Sequence, residues 1–339
     1  RGLARTRAPG RVVSRPADAV RRAVREVRAE LPADGLVLVA CSGGPDSVAL
    51  AAATAEVVRP PRRAGAVIVD HGLQPSSDDV AEQAADTCRT LGLEPVIVTA
   101  VTVVDTGEGP EAAARSARYQ ALTQQAEAVG AAAVLLGHTS DDQAETVLLG
   151  LARGSGGRSL AGMSAARGVF RRPLLGLDRQ TVRSAYPDLP VHHDEQNSDP
   201  RFLRARVRNE VLPVLEVVLG PGVSAALART AELLRADADA IASWAEHVAA
   251  AALSSAAGQV RVEAHALVGL PVAVVARVMR EAALLAGSDG GRLTSVHVRA
   301  LTALVTDWHG QGAVALPGGK TAVRASGTVV FGPSSPGEE

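Results

Sequence analysis

The chain has 339 residues, a formal net charge of −1 and two cysteines. That length can bury the core of a large domain plus a smaller one, and the near-neutral balance excludes a uniformly basic nucleic-acid binder while leaving local arginine clusters open. Cys41 and Cys88 have neither metal-type nor C-x-x-C spacing, which excludes a disulfide framework and a zinc site, and no apolar run approaches the ~20 residues of a membrane span, so a cytoplasmic protein with no membrane partner is expected.

Arg1, Arg5, Arg7, Arg11 and Arg15 open the chain without an intervening acid, a pattern shared by transit peptides, RNA-touching arms and disordered leaders. The first residue is not Met, and the natural start is left open. Ala17 to Leu31 has helical spacing and is broken by Pro32-Ala33-Asp34-Gly35. An apolar run, Leu36 to Ala40, predicts a strand; it stops at Cys41-Ser42-Gly43-Gly44, and Pro45 opens a helix, where its missing N–H costs nothing. Further strands are predicted over Ala66 to Val69, Pro95 to Val101 and Ala132 to Leu136. Helices are predicted from Ser77 or Asp78, from Pro110-Glu111 and from about Asp141. This alternation implies right-handed crossovers and a doubly wound, mainly parallel α/β sheet covered on both faces.

The polar clusters Ser42 to Ser47, Asp70-His71 and His138 to Asp142 all follow the carboxyl ends of predicted strands, where open α/β sheets bind ligands. In Ser42-Gly43-Gly44-Pro45-Asp46-Ser47 the glycines free backbone N–H groups to point outward. The two hydroxyls and the helix start complete an anion cradle. A plain βα turn would use the same glycines only to bend. A Walker A site is excluded because no lysine follows; the chain's single lysine, Lys320, lies in a Gly-Gly-Lys-Thr that reads as a hairpin turn. Ser140 and Gln143 form a candidate capping box, Glu111 and Arg115 a helix-surface pair, and His71 and His138 could be satisfied loop histidines. Asp141, Asp142 and Glu145 share one helical side, which suits an ammonium or a magnesium ion, and the sequence does not separate the two.

Together these motifs resemble the PP-loop (N-type) ATP pyrophosphatase superfamily, whose nucleotide loop reads S-G-G-x-D-S. The resemblance implies an adenine nucleotide alpha hydrolase-like fold, use of ATP and Mg2+, and a phosphate cradle formed by Ser42, Gly43, Gly44, Pro45 and Ser47. It also implies that Asp46 holds magnesium and pyrophosphate and that Asp70 and His71 border the nucleotide. Val69 to Leu73, Glu111 to Arg115 with Arg118-Tyr119, Asp141 to Thr146, Arg153 to Gly156, Arg172 to Leu175 and the arginine-rich stretch from Phe202 narrow the likeness to tRNA(Ile)-lysidine synthetases. These join free L-lysine to the wobble cytidine of tRNA(Ile) with a CAU anticodon. On this resemblance the expected catalytic residues are Asp46, Arg115, His138, Asp141 and Arg206, and the expected substrate-binding residues Asp141, Asp142, Glu145, Arg204 and Arg208. The likeness is strong from about Gly35 to Pro213. It departs where the family's paired histidines meet Gly137-His138 and where its Arg-Asn-Arg becomes Arg204-Ala205-Arg206.

Arg201, Arg204, Arg206 and Arg208, with Arg167, Arg171 and Arg172, form a candidate RNA-backbone row, against the plainer reading of a helix face paired with Asp194, Glu195 and Asp199. Seven aromatic residues in all, three Phe, two Tyr and two Trp, argue against base stacking as the main binding mode. The expected organisation is an arm and helix (1–34), a catalytic domain (35–218), a smaller, mainly helical tRNA-binding domain (219–332) and a disordered tail (333–339). The helices of the smaller domain span Ser224 to Ala252, Pro271 to Ala286 and Thr294 to Val305, and a hairpin spans Ala313 to Phe331. The further carboxyl-terminal domain of longer family members is expected to be absent. Homodimerisation is left open, and the alternatives kept are a tRNA sulfur transferase on the same fold and a non-catalytic nucleotide-binding regulator.

Overall fold

The computed structural model describes residues 16–59, 63–72, 77–103, 110–154, 157–192, 199, 201–256 and 258–334, with the side chains of residues 110, 111 and 158 left aside. The amino-terminal arginine arm, Leu73, the Glu111 side chain, Ser155, Gly156, Asp194, Glu195 and residues 335–339 of the tail lie outside the described residues. The chain divides into two compact units, Arg1–Arg235 and Ala236–Glu339. No single helix among the described residues is long and apolar enough to cross a membrane.

The first unit begins α1 (Pro16–Ala29), β1 (Leu36–Ala40), α2 (Pro45–Val57), β2 (Ala64–Asp70), α3 (Ser77–Thr90), β3 (Val96–Ala100), α4 (Pro110–Ala128), β4 (Ala131–Leu135) and α5 (Ser140–Ala152). It continues through α6 (Gly157–Leu160), β5 (Ala166–Arg167), β6 (Phe170–Arg171) and α7 (Arg179–Arg183) to α8 (Leu203–Arg206), a π turn (Val207–Val211) and α9 (Leu212–Val218). The sheet order is β3-β2-β1-β4-β6-β5, parallel except for the β5–β6 pair.

Alternation along β1 shows why both faces are covered. Val37 and Val39 pack with Val20 and Val24 of α1, Val48 and Leu50 of α2 and Ala84 of α3, while Leu36 and Leu38 pack on the opposite side with Leu122 and Ala126 of α4. Burying a side chain such as Leu38 stabilises by about 1.5–3 kcal/mol, and a strand apolar on both faces has no solvent side. The chain runs from β1 outward through β2 to β3, then returns to place β4 on the other flank of β1. The loops after β1 and β4 therefore diverge at a topological switch point, and the crevice between them lies outside the strands' carboxyl ends.

The boundary between the units falls within α10 (Val223–Ala252), beyond the Leu219–Gly222 connection expected from sequence. The second unit carries β7 (Leu253–Ala256), β8 (Gln259–Glu263), α11 (Val272–Leu285), α12 (Ser295–Thr306), β9 (Val314–Leu316), β10 (Lys320–Ala325) and β11 (Thr328–Pro333). The strands form an antiparallel sheet, β7-β8-β11-β10-β9, around a core of Val275, Met279, Leu301, Leu304 and Phe331. The expected hairpin is thus three of five strands, and β7–β8 add a pair that the alanine-rich helical pattern concealed. Lys320 pairs with Leu316 across a turn through Gly318 and Gly319, both at positive φ, so the Gly-Gly-Lys-Thr segment is a hairpin turn.

Candidate active site

Ser42 to Ser47 link the end of β1 to the first turn of α2. Gly43 has φ of 77°, a left-handed conformation that favours glycine, and a Cβ there would come within 3.3 Å of the Ala84 Cβ. The Ser47 hydroxyl closes the loop: it accepts from the Ser42 N–H at 3.1 Å and donates to the Gly44 carbonyl at 2.9 Å. Asp46 projects from the helix start and is met by two guanidinium groups. Arg183 Nε donates to Oδ1 at 3.1 Å and Nη2 to Oδ2 at 3.4 Å, while Arg179 Nε stands 3.7 Å from Oδ2.

Across the crevice, α5 begins with an interlocked cap. Asp142 Oδ2 accepts from the Thr139 N–H at 2.7 Å and the Thr139 hydroxyl at 2.8 Å. The box is therefore Thr139 with Asp142, one residue before the Ser140–Gln143 pair expected from sequence. Gln143 instead clamps a loop, accepting from the Met163 N–H at 2.7 Å and donating to the Met163 carbonyl at 2.9 Å.

Asp142 and Glu145, one helical turn apart, are shared among three arginines. Arg179 Nη2 donates to Asp142 at 2.9 Å and Glu145 at 3.1 Å; Arg208 Nη2 reaches Asp142 at 3.1 Å and its Nε reaches Glu145 at 2.7 Å. Arg204 Nε lies 3.6 Å from Glu145, and its Nη2 donates to the Thr146 hydroxyl. Glu145 is fully buried, a position a carboxylate holds only when paired. Burial would raise the Asp142 pKa, but Arg179, the Thr139 N–H, His138 and Arg208 outweigh it and hold the carboxyl below its ordinary value. Asp141 joins the group differently, accepting the backbone N–H of Arg179 at 2.8 Å.

A second cluster surrounds Tyr119 of α4. Its hydroxyl accepts from Arg172 at 3.0 Å and Arg115 at 3.4 Å, the Arg115 and Arg118 guanidinium groups lie 4.9 and 5.7 Å from the ring centroid, and Phe170 packs edge-on at 4.9 Å. His138, just past β4, is pushed down to about 3, first by burial and then by Arg118, with Arg172 and Arg115 adding to it against Asp142. It is a neutral imidazole near pH 7, with a buried Nδ1 that lacks a hydrogen-bond partner among the described residues. His71 is shifted down as well, by burial and Arg118, and its Nδ1 is also buried and, among the described residues, unpartnered. Asp70 accepts the Gly72 N–H at 2.9 Å.

Asp46, Asp141, Asp142, Glu145, Arg204 and Arg208 thus converge around Arg179 or its partners. Arg206 does not join them; it pairs with Glu210 at 3.5 Å on the exposed surface. Helix geometry explains the separation, since positions 204 and 208 share a face and 206 points away. The expected basic row is divided accordingly: Arg204 and Arg208 turn to Glu145, Arg172 is buried against Tyr119, and Arg201 pairs with Asp199 in solvent. Sequence reasoning missed Arg179 and Arg183. Their one local signal is Asp178, whose carboxylate caps α7 by accepting the Thr181 N–H at 2.7 Å.

Comparison with known proteins extends this geometry. A family model described as the PP-loop domain matches residues 17–215, and one described as the TilS substrate binding domain matches residues 263–330. The tRNA(Ile)-lysidine synthase of Thermobifida fusca is 54% identical over 320 residues, covering 93% of this chain and 97% of that protein. The chain belongs to the tRNA(Ile)-lysidine synthase family. The Streptomyces coelicolor tRNA(Ile)-lysidine synthase is 55% identical over 307 residues, covering 89% of this chain and 86% of its own length. Among solved structures, the U34-tRNA thiolase NcsA of Methanococcus maripaludis, with its [4Fe-4S] cluster, aligns with a TM-score of 0.54 at 20% identity. That alignment covers 65% of this chain and 80% of that one, a likeness of fold.

The tRNA(Ile)-lysidine synthase family uses a PP-loop ATP-binding domain, and the matched region includes the Ser42–Ser47 turn with its left-handed glycine, closed hydroxyl network and helix start. The donor set also bears on magnesium. Among the described residues no group of three or more His, Cys, Asp or Glu side chains could hold a metal. Asp46 is a lone carboxylate at the helix start, which fits an ion held weakly by one protein ligand and water, and more tightly once nucleotide phosphate oxygens join them.

Proposed function

We propose that this chain is a cytoplasmic, ATP-dependent RNA ligase that converts the wobble cytidine of tRNA(Ile) with a CAU anticodon to lysidine, releasing AMP and pyrophosphate. Family membership over most of the chain gives the reaction class. The observation that supports carrying the reading to residues is the convergence of Asp46 and the α5 acids on Arg179, which sets the proposed phosphate end beside the proposed amino-acid end.

In the first step the loop N–H groups and the Ser42 and Ser47 hydroxyls hold the pyrophosphate part of ATP while the cytidine C2 carbonyl oxygen attacks the α-phosphorus. The α–β anhydride bond breaks, pyrophosphate leaves and the base is adenylated. A magnesium ion held by Asp46 would supply charge neutralisation for the departing phosphates. In the second step the neutral ε-amine of lysine attacks C2, the oxygen leaves with AMP, and the amine proton passes to an acceptor at the rim. Asp142, Glu145, Arg204 and Arg208 present both charge signs, which suits the ammonium and carboxylate of a free amino acid. Arg115, Arg118 and Arg172 offer positive charge to AMP or an RNA phosphate. His138, neutral in the empty site, becomes a better proton acceptor once an anion offsets those arginines. A sulfur transferase reading is less favoured, because Cys41 and Cys88 are both buried.

The test combines the protein with ATP, labelled lysine and a tRNA bearing a CAU anticodon. Lysine-dependent label in RNA is expected, and ATP binding without label would reject the reading. Asp46→Asn should lower tRNA-dependent adenylation by about 100-fold or more, as removal of an electrostatic stabiliser does, with the unfolding midpoint unchanged. Adenylation at the wild-type rate would refute the role of Asp46.

A further inference from the structure

The two arginines that meet Asp46 are held differently. Arg179 is committed elsewhere: its side chain is 13% exposed, its Nη2 is shared by Asp142 and Glu145, and its backbone N–H is fixed by Asp141. Arg183 is 46% exposed, and among the described residues Asp46 is its hydrogen-bonding and ion-pair partner, through two contacts to the two carboxylate oxygens. Its backbone is anchored, because α7 is capped by Asp178 and Val182 is fully buried in the core shared with α1 and α2. A fixed base with a long, half-exposed side chain can move its guanidinium by several ångströms without disturbing the fold.

Occupancy favours such a movement, because a cation brought against the same carboxylate repels the guanidinium. Arg183 holds both oxygens of Asp46, the same oxygens a cation would use. A nucleotide triphosphate entering beside Asp46 brings several negative charges toward a carboxylate, and a displaced guanidinium has an adjacent anion with matching bidentate geometry.

We propose that Arg183 is an exchangeable counter-ion: it neutralises Asp46 in the empty enzyme, yields the carboxylate to a divalent cation, and transfers its own charge to the pyrophosphate portion of the bound nucleotide. This deepens the proposed function and rests on its assignment of Asp46 as the cation ligand. Arg183 is then a pyrophosphate-binding residue that also sets the metal affinity of the empty site. It supplies the positive charge that a Walker lysine provides in other phosphate loops.

The experiment titrates nucleotide-free protein with Mn2+, read by electron paramagnetic resonance, and the Mn2+-loaded protein with inorganic pyrophosphate, read by calorimetry. Wild type, Arg183→Gln, Arg183→Lys and Asp46→Asn are compared. Arg183→Gln should bind Mn2+ roughly two- to fivefold more tightly, the size expected for losing a half-exposed competing ion pair. The same variant should bind pyrophosphate roughly tenfold more weakly, through loss of a charge-assisted fork. Arg183→Lys should recover part of the pyrophosphate affinity. Unchanged Mn2+ affinity in Arg183→Gln overturns the exchange, and so does tighter Mn2+ binding with unchanged pyrophosphate affinity. If Asp46→Asn binds Mn2+ as wild type does, the assignment of Asp46 itself fails. An intact Asp46 effect with silent Arg183 variants removes only the exchange.

Discussion

The two banks of the crevice are built in opposite ways. On the α5 side, buried Glu145 and nearly buried Asp142 are shared among Arg179, Arg204 and Arg208, so charge is neutralised before any ligand arrives. On the loop side, Asp46 depends mainly on one half-exposed arginine. A saturated network fixes geometry, because moving any member exposes a buried charge. A sparsely paired acid is ready for exchange. The difference teaches that acids within one crevice need not be held alike: Glu145 is locked into a buried network, and Asp46 is left with one exchangeable partner.

The comparison breaks most visibly at Glu145. Glu145→Gln would leave three guanidinium groups short of an anion, and a loss of about 3–5 kcal/mol is expected from opening a buried ion network on one side. A urea titration reads this as a lower unfolding midpoint, and a midpoint equal to that of wild type would mean the network is not a fold element. Asp46→Asn should leave the same midpoint in place, which sharpens the contrast between the banks.

A smaller effect is expected from acid. The folded pKa of His138 lies near 3, below its unfolded value of about 6.5. Between those values the unfolded chain binds a proton that the folded chain refuses, so stability is full above about pH 6.5 and is lost as the pH falls. From pH 6.5 to 5, above the carboxylate range, the decline from this residue should approach about 1 kcal/mol per pH unit, and His138→Gln should flatten it. Denaturation at a series of pH values checks both, and equal slopes in the two proteins would contradict the assignment. The smallest effect is expected at Arg206. Its pair with Glu210 is exposed, so Arg206→Ala should alter stability by less than about 0.5 kcal/mol, read in the same urea titration.

Much of the first unit was legible because apolar runs, turn residues and helix starts agree there. Leu36 to Ala40 followed by two glycines and Pro45 gives strand, loop and helix with little ambiguity; the observed β1 spans those five residues and α2 begins at Pro45. Harder to read was α7, five residues with little apolar periodicity, so Arg179 and Arg183 were not distinguished from other surface arginines. The row from Arg201 to Arg208 was legible as basic, but its division into inward and outward members depends on where α5 lies, a tertiary fact. In the second unit, the helix expected over Ser224 to Ala252 ends where α10 ends, but β7 follows it without a strong turn signal and drew no strand reading.

One contact at the base of the crevice sets its gauge. A Cβ on Gly137 would stand 3.2 Å from the Asp46 carbonyl oxygen and 3.3 Å from the Ser47 Cα, so the segment leading to His138 lies flush on the first turn of α2, backbone against backbone. No compressible side chain intervenes to take up error. The spacing between the loop bank and the α5 bank is therefore a property of the main chain itself. Substitutions around the rim can change which groups each bank presents, but they have little leverage over how far apart the two banks stand.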